Sequence, residues 1–207
     1  MLIMETRNRC NKQMADAPSL TIQFRKAAQR DLPRLTELYL DCFAKWSQAE
    51  NIPNYLDMMV TDKDWQFIVA EDKPGHIAGF VLVNCTYAER HPGGFINVDV
   101  LAVDEKCRGQ GLGKQLMNMA DMVGRNEGVS FVSLQVHEDN EGGIKLYHAL
   151  KFNEVARQES YYSDGRAAVN MVKVLDGKDF MAPANDTEPH PATIRPKRSA
   201  LGKLFGF

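Results

Sequence analysis

Apolar residues follow two different periods along this chain. Residues 21–25 alternate apolar and polar side chains as a half-buried strand does, and the mostly apolar residues 65–71 also predict a strand. Residues 32–43 instead carry apolar side chains at the spacing of one helix face. The same patterns predict further strands at 77–86, 95–103, 129–136, 152–158 and 168–175, and further helices at 54–60, from 112 onward and from 140 onward. This order of elements predicts an α/β (α+β) domain, with a mixed sheet of about seven strands and helices on both faces.

The most informative loop follows the strand at residues 95–103 and leads into a helix. It has glycines at alternate positions, and its residues are Arg108, Gly109, Gln110, Gly111, Leu112, Gly113 and Lys114. Glycine lets backbone N–H groups approach an anion without a Cβ atom in the way. The free N–H groups and the dipole at the start of a helix also favour negative charge. The sequence therefore predicts a phosphate site in this loop.

Spacing distinguishes three kinds of phosphate loop. A nucleoside-triphosphatase loop needs glycine where Arg108 stands and serine or threonine where Gln115 stands. A dinucleotide-binding loop needs Gly-x-Gly-x-x-Gly and an acidic residue about 20 positions later, and this chain has neither. The third pattern, Arg/Gln-x-x-Gly-x-Gly/Ala, fits Arg108, Gly111 and Gly113. It resembles the pyrophosphate-binding loop of the GNAT superfamily of acetyl-coenzyme A-dependent N-acetyltransferases.

A second segment resembles the same superfamily, in which a strand end and helix read Asn-x-x-Ala-x-x-Leu-Tyr, followed by Gly-Phe. This chain has Asn140, Gly143 and Leu146-Tyr147, followed by Lys151-Phe152. Gly143 in place of alanine would keep room for the cofactor and weaken the helix by about 1 kcal/mol. Lys151 in place of glycine puts the turn at the helix exit in question. The resemblance covers roughly residues 20–175 and implies the GNAT fold, with a twisted and mostly antiparallel sheet.

The resemblance also implies acetyl-CoA as co-substrate and a role for each matching residue. The backbone of Leu101 and Val103 would pair with the pantetheine arm, and the main-chain N–H groups of residues 108–114 would hold the pyrophosphate. The Asn140 side chain would bond the pantetheine arm, or could instead cap the helix. Tyr147 sits where many members have a tyrosine near the sulfur, so its phenol would protonate the leaving thiolate. The alternative for Tyr147 is a packed aromatic that only shapes the pocket.

No family pattern fixes the general base that would take a proton from the amine. The candidates are Glu50, Glu89, Asp99, His137 and Glu138. Asp99 is preferred because it lies on the cofactor strand with the same parity as Leu101 and Val103, so that it would face the cleft. In this superfamily a base acting through a water is common, so the carboxylate need not touch the amine.

A third motif bears on the acceptor. Residues 161–171, which begin Tyr161-Tyr162-Ser163-Asp164-Gly165, resemble the Tyr-Tyr-x-Asp-Gly-x-x-Ala-x-x-Met of protein N-terminal acetyltransferases, of the ribosomal-protein alanine type and the eukaryotic type. In that group the hairpin tyrosines close over the peptide N-terminus, which implies this role for Tyr161 and Tyr162. Tyr55 lies where the other substrate loop sits, although a glutamate often found there is missing. A plain Asp-Gly turn between packing tyrosines would give the same pattern.

Three functions remain open at this point. The chain would acetylate a protein or peptide N-terminal amine, or a small amine such as a polyamine, amino acid or aminoglycoside, or it would be a non-catalytic module that binds acetyl-CoA. An α-amine has a pKa near 8 and a lysine near 10.4, so a site without an obvious strong base suits the α-amine better. An acidic groove would favour a polycation, and Glu138, Asp139 and Glu141 are close together in sequence.

The amino-acid composition bears on the ligand class, the cellular compartment and the chain termini. A net charge of −2 over 207 residues gives no argument for nucleic acid. The four cysteines are scattered, so reduced thiols in a cytoplasm are expected, and no Cys/His cluster has metal-ligand spacing. No apolar run is long enough to predict a membrane span. We expect a flexible leader at residues 1–19 and a disordered basic tail at 176–207. The oligomeric state is left open, a homodimer included.

Overall fold

The computed structural model describes residues 22–43, 51–86 and 94–175. The predicted leader and tail, and the candidate bases Glu50 and Glu89, lie outside these residues. Seven strands are present: β1 (Gln23–Lys26), β2 (Trp65–Lys73), β3 (His76–Asn84), β4 (Phe95–Val103), β5 (Phe131–His137), β6 (Asn153–Gln158) and β7 (Ala168–Val174). The α-helices are α1 (Leu32–Phe43), α2 (Ile52–Thr61), α3 (Leu112–Asn126) and α4 (Glu141–Ala149). Each predicted strand and helix is present, with ends that differ by a few residues.

The strands form one sheet in the order β1-β2-β3-β4-β5-β7-β6, and only β4 and β5 run parallel to each other. One apolar core lies between the sheet and α1 and α2, and it includes Leu35, Leu38 and Leu56. The other core lies on the opposite face under α3 and α4, and it includes Leu112, Leu116 and Leu134. The predicted mixed, mostly antiparallel sheet with helices on both faces is confirmed.

The parallel pair parts midway along its length. Hydrogen-bonded pairing joins residues 95–98 of β4 to residues 131–134 of β5 and then stops. The strands continue to Val103 and His137 without pairing to each other, while β5 stays paired to β7 along its whole length. A cleft therefore opens between two strands, and its edges expose backbone groups that a paired sheet would have satisfied.

A β-bulge marks the point where the cleft opens. In the β3–β4 ladder, Leu82 pairs with Val100 and Val83 pairs with Val98, which leaves Asp99 as an extra residue. The bulge reverses the alternation of side chains. Val98 and Leu101 both face the α3–α4 core, whereas Val100 joins the α1–α2 core. The parity predicted for Asp99 is therefore wrong, because a strict period of two does not allow for an inserted residue.

No helix among the residues described above is both long and apolar enough to cross a membrane.

Candidate active site

The glycine loop presents a row of unused backbone donors. Gly109 and Gly111 have φ angles of 73° and 82°, a left-handed conformation that glycine adopts without a steric penalty. From Gly109 to Lys114 no N–H group donates to another described residue, and the first helical bond of α3 runs from Gln115 N–H to the Gly111 oxygen at 3.1 Å. The Arg108 N–H differs from the prediction, because it already donates to the Glu105 oxygen at 3.2 Å. The free donors thus begin one residue later than expected.

Side chains beneath the loop hold it in shape. Asp104 caps the short 3-10 turn by accepting a hydrogen bond from the Lys106 N–H at 3.0 Å, and Arg34 of α1 bonds to the Asp104 carboxylate. The Arg108 guanidinium donates to the Val103 oxygen at 3.0 Å, so this side chain ties the loop to the end of β4. The unused N–H groups therefore belong to a loop whose position is fixed by bonds on both sides.

The predicted cofactor strand lies beside this loop. Leu101 and Val103 are half-buried and pack against the α3–α4 core. Gly113, in the first turn of α3, approaches α4 so closely that a Cβ atom would lie 3.3 Å from Leu146 Cδ2. The start of α3, the end of β4 and α4 therefore meet at one side of the cleft.

Asn140 takes up the role of helix cap. Its Oδ1 accepts a hydrogen bond from the Gly143 N–H at 2.9 Å. A Cβ atom on Gly143 would lie 2.8 Å from Asn140 Nδ2, so glycine here makes room for the cap. That is a different reason from the predicted one, which was space for the cofactor. Whether Asn140 also bonds a ligand stays a prediction.

The end of α4 fixes Tyr147. The Lys151 N–H bonds to the His148 oxygen and the Phe152 N–H to the Tyr147 oxygen, both at 3.0 Å, which is the Schellman arrangement. Lys151 has a φ of 70°, so it adopts the left-handed turn that glycine usually provides. The Tyr147 ring packs edge-on against Phe152, with 5.9 Å between the ring centroids. Burial raises the pKa of Tyr147 to about 12, and its hydroxyl makes no hydrogen bond to a described residue.

Asp99 lies on the opposite side of the cleft from Tyr147, toward α1 and α2. Burial raises the pKa of Tyr39, of Tyr55 and of Tyr161, and the charge of the nearby Asp99 raises each of them further. The Tyr55 hydroxyl is fully buried and has no hydrogen-bond partner in the described part of the chain. Burial raises the pKa of Asp99 to about 7, while a 2.6 Å hydrogen bond from Asn97 Nδ2 opposes that rise. The result is a carboxyl group that ionises near neutral pH among aromatic rings.

The hairpin between β6 and β7 closes the acceptor side. Tyr162 stacks on His137 with 4.6 Å between the ring centroids, and Tyr161 packs edge-on against Tyr162 at 5.0 Å. Tyr147 and Tyr39 both contribute to raising the pKa of Tyr162, which places this ring between the two sides of the cleft. The structure thus brings the predicted acceptor tyrosines to the cleft that holds Asp99 and Tyr147.

Two predicted candidates for the base are engaged elsewhere. His137 Nδ1 accepts a hydrogen bond from the Asp139 N–H at 3.1 Å, which leaves Nε2 as the protonated nitrogen that donates to Asp164 at 3.0 Å. Glu138 bonds to the Ala167 N–H at 2.9 Å and forms an ion pair with Arg157. Both side chains thus bond to the hairpin beside β5.

Sequence reasoning missed Tyr39 and Asn97. Tyr39 belongs to the apolar face of α1, and its position in that face gave no reason to separate it from the core. Asn97 interrupts an otherwise apolar strand, and a polar residue buried in a strand is a signal that could have identified it.

Comparison with known proteins agrees with this geometry. The model of a family described as acetyltransferase (GNAT) matches residues 32–152, more than half of the chain. The chain belongs to the GNAT acetyltransferase family. The family that the two sequence motifs predict is therefore confirmed.

Several members of this family resemble the chain more specifically. N-alpha-acetyltransferase daf-31 of Caenorhabditis elegans is 33% identical over 52% of this chain and 59% of its own length. The [ribosomal protein bS18]-alanine N-acetyltransferase of Escherichia coli is 37% identical over 32% of this chain and 46% of its own length. The structure of Arabidopsis thaliana NAA60 in complex with acetyl-CoA has a TM-score of 0.67 at 24% identity, covering 76% of this chain and 100% of that one. The chain spans about half the length of the curated relatives it matches.

Proposed function

We propose that this chain transfers the acetyl group of acetyl-CoA to the N-terminal amine of a protein or peptide. The observation that carries the proposal is the cleft between β4 and β5, which has a row of unused N–H donors on one side and Asp99 among tyrosines on the other. The names of the relatives, among them N-terminal acetyltransferases, support the same acceptor. A cytoplasmic location and a homodimer remain predictions.

The residues present fit acetyl-CoA, which supplies an acetyl group already activated as a thioester. The N–H groups from Gly109 to Lys114 suit a pyrophosphate, because they lie at a helix start and donate to none of the described residues. The open edge of β4 near Leu101 and Val103 suits the amide groups of the pantetheine arm, which would bind as an added strand does. Asn140 lies beside this edge at the start of α4 and would contribute a side-chain amide.

Asp99 is the proposed base. A base works best when its pKa lies near the working pH, and the pKa of Asp99 is about 7. Moving a proton from an α-amine of pKa near 8 to this carboxylate costs about 1 kcal/mol, whereas moving one from a lysine of pKa near 10.4 costs about 5 kcal/mol. The carboxylate therefore favours an α-amine over a lysine side chain.

Tyr147 is the proposed donor to the departing sulfur. Because burial raises the pKa of its phenol to about 12, the hydroxyl keeps its proton across the working range of pH. A phenol with so high a pKa is a weak acid, so it would act mainly by donating a hydrogen bond to the negative charge that develops on sulfur. Its position is secured by the Schellman turn and by the contact with Phe152.

Tyr161, Tyr162 and Tyr55 are the proposed acceptor-binding residues. The Tyr55 and Tyr161 phenols lie near the Asp99 carboxylate, and the Tyr161 ring packs against Tyr162, which suits a small cation held next to aromatic faces. The acidic residues that would favour a polycation are already paired. Glu138 is bound by Arg157, Asp139 lies 3.4 Å from Arg166, and Glu141 lies 3.1 Å from Lys145. The pairing weakens the case for a polyamine substrate.

The test is acetyl-CoA turnover, measured as free thiol, across peptides with different first residues and a panel of polyamines, amino acids and aminoglycosides. We expect turnover with peptides, and its loss when their N-terminus is blocked. Turnover confined to small amines, and unaffected by Tyr161→Ala or Tyr162→Ala, would contradict the proposed acceptor.

A further inference from the structure

A short chain of buried polar groups crosses from β5 to Asp99. The Ser133 hydroxyl lies 2.8 Å from Asn97 Oδ1, and Asn97 Nδ2 lies 2.6 Å from Asp99 Oδ1. Asn97 and Ser133 are 9% and 2% exposed. Buried polar side chains are costly unless they are hydrogen-bonded, so a chain of this kind within an apolar strand needs an explanation.

The partners fix the orientation of the Asn97 amide. An ionised carboxylate can only accept, so Nδ2 faces Asp99 and Oδ1 faces Ser133, whose hydroxyl lies 2.8 Å from Oδ1 and 3.2 Å from the Ile96 oxygen. Nδ2 also lies 3.4 Å from Gln135 Oε1, across the point where β4 and β5 part. The amide therefore spans the opening of the cleft and directs its donor at the carboxylate.

We propose that Asn97 is a positioning residue that orients the Asp99 carboxylate toward the acceptor and favours its ionised form. The inference rests on the proposed function of Asp99 as the base. Asn97 and Asp99 are two residues apart in β4, so they lie on the same side of the sheet, and the bulge turns Leu101 and Val103 to the other side.

The titratable groups near Asp99 do not stabilise its ionised form, so this role falls to Asn97. The titratable groups that face the carboxylate are Tyr39 from α1, Tyr55 from α2 and Tyr161 from the hairpin, and all three stay neutral because their pKa is raised. Among the described residues, Asn97 is the one group that favours the charged form of Asp99 against the effect of burial. Loss of the amide donor would therefore make ionisation harder.

The experiment compares wild type, Asn97→Leu, Ser133→Ala and Asn84→Leu in two measurements. The first follows the Asp99 carboxyl carbon by NMR as the pH is varied, and it does not depend on activity. The second is the pH dependence of kcat/KM for one peptide, whose own amine titrates equally in every variant. Asn84→Leu is the control, because Asn84 is the buried partner of Asn97 in β3 and caps the Thr86 N–H at 2.9 Å.

We expect the Asn97→Leu variant to raise both the NMR midpoint and the acidic limb of kcat/KM by about one pH unit, since a hydrogen bond to a charged group has roughly that free energy. Ser133→Ala frees the amide to turn, so it should give a smaller rise in the same direction. Asn84→Leu should leave both midpoints where they are in wild type.

Unchanged midpoints in Asn97→Leu would overturn the inference, and if that variant does not fold, an unchanged midpoint in Ser133→Ala would do so. An NMR midpoint that rises while the kinetic limb stays fixed would support the contact and contradict Asp99 as the base. The two measurements therefore separate a failure of this inference from a failure of the proposed function.

Discussion

Two opposing effects set the pKa of Asp99 near 7. Burial among tyrosines destabilises the charged carboxylate, and the hydrogen bond from the Asn97 amide stabilises it, so that the pKa of Asp99 lies at about 7. A carboxylate exposed to water would have a pKa near 3.9 and would be a poor base at pH 7. The proposed role of Asp99 as a base thus depends on its burial and on its contact with Asn97.

We therefore expect Asp99→Asn to lower kcat for a peptide by about 10²- to 10⁴-fold, the usual effect of removing a general base. The KM for acetyl-CoA should change little, because Asp99 lies on the acceptor side of the cleft. In wild type, activity should fall as the pH drops below about 7, since the protonated carboxyl cannot accept a proton. Steady-state kinetics measured against pH would check both expectations.

Asp41→Asn, a change at an exposed carboxylate on α1, is the matched control and should leave kcat unaltered. Wild-type kcat in Asp99→Asn, with the same acidic limb, would exclude Asp99 as the base.

The loop motif could be predicted residue by residue, whereas the surroundings of the proposed base, Asp99, could not. Gly109, Gly111 and Gly113 lie within a few positions of each other, so their spacing alone indicates how the backbone folds. Asp99 depends on an inserted residue in β4 and on phenols that come from α1, α2 and the hairpin. The apolar periodicity of one strand reveals neither an inserted residue nor the phenols that pack nearby from other elements.

The elements that form the cleft are each ended by a specific local structure. Helix α3 begins at a glycine in the left-handed conformation, and α4 begins at the Asn140 cap and ends in the Schellman turn. The sequence predicted where these helices lie because their apolar periodicity is strong. It did not predict that Lys151 would keep the turn geometry of the glycine it replaces.

Gly111→Ala should weaken acetyl-CoA binding. At a φ of 82° an alanine is strained by about 1–2 kcal/mol, and relaxation of that strain would move the N–H groups of the loop. We expect the KM for acetyl-CoA to rise about tenfold, which corresponds to about 1.4 kcal/mol of lost binding. Initial rates at varied acetyl-CoA would measure the change.

Gly75→Ala is the control for Gly111→Ala. Gly75 has a φ of 78° in the β2–β3 turn, and a Cβ atom would meet nothing within 4 Å at either glycine. Both variants should lose similar stability, but only Gly111→Ala should change the KM. An equal KM in the two variants would contradict the loop assignment.

Lys151→Gly should stabilise the protein by about 1 kcal/mol, because a left-handed conformation costs a residue with a Cβ atom about that much. Urea denaturation would measure the difference. Lys151→Ala removes the same charge but keeps the Cβ atom, so it should show no such gain. Equal stability of the glycine and alanine variants would mean that the turn is not strained.

At the scale of the whole molecule, the residues proposed to bind acetyl-CoA and those proposed to bind the acceptor lie on different faces of one sheet. The α3–α4 face carries the loop, the open strand edge and Tyr147, while the α1–α2 face and the hairpin carry Asp99 and the tyrosines proposed to bind the acceptor. The order of elements was predictable from the sequence, and so was the sheet that it builds. The point at which β4 and β5 part was not, because the periodicity of one strand does not reveal where its pairing with another strand stops.

A single peptide with a free N-terminus and an internal lysine tests directly whether the protein acetylates the N-terminal amine. After reaction with acetyl-CoA, mass spectrometric fragmentation locates the acetyl group. We expect acetylation of the α-amine, no acetylation of the lysine, and loss of product in the Asp99→Asn variant. Acetylation of the lysine, or transfer only to small amines while both peptide amines remain free, would contradict it.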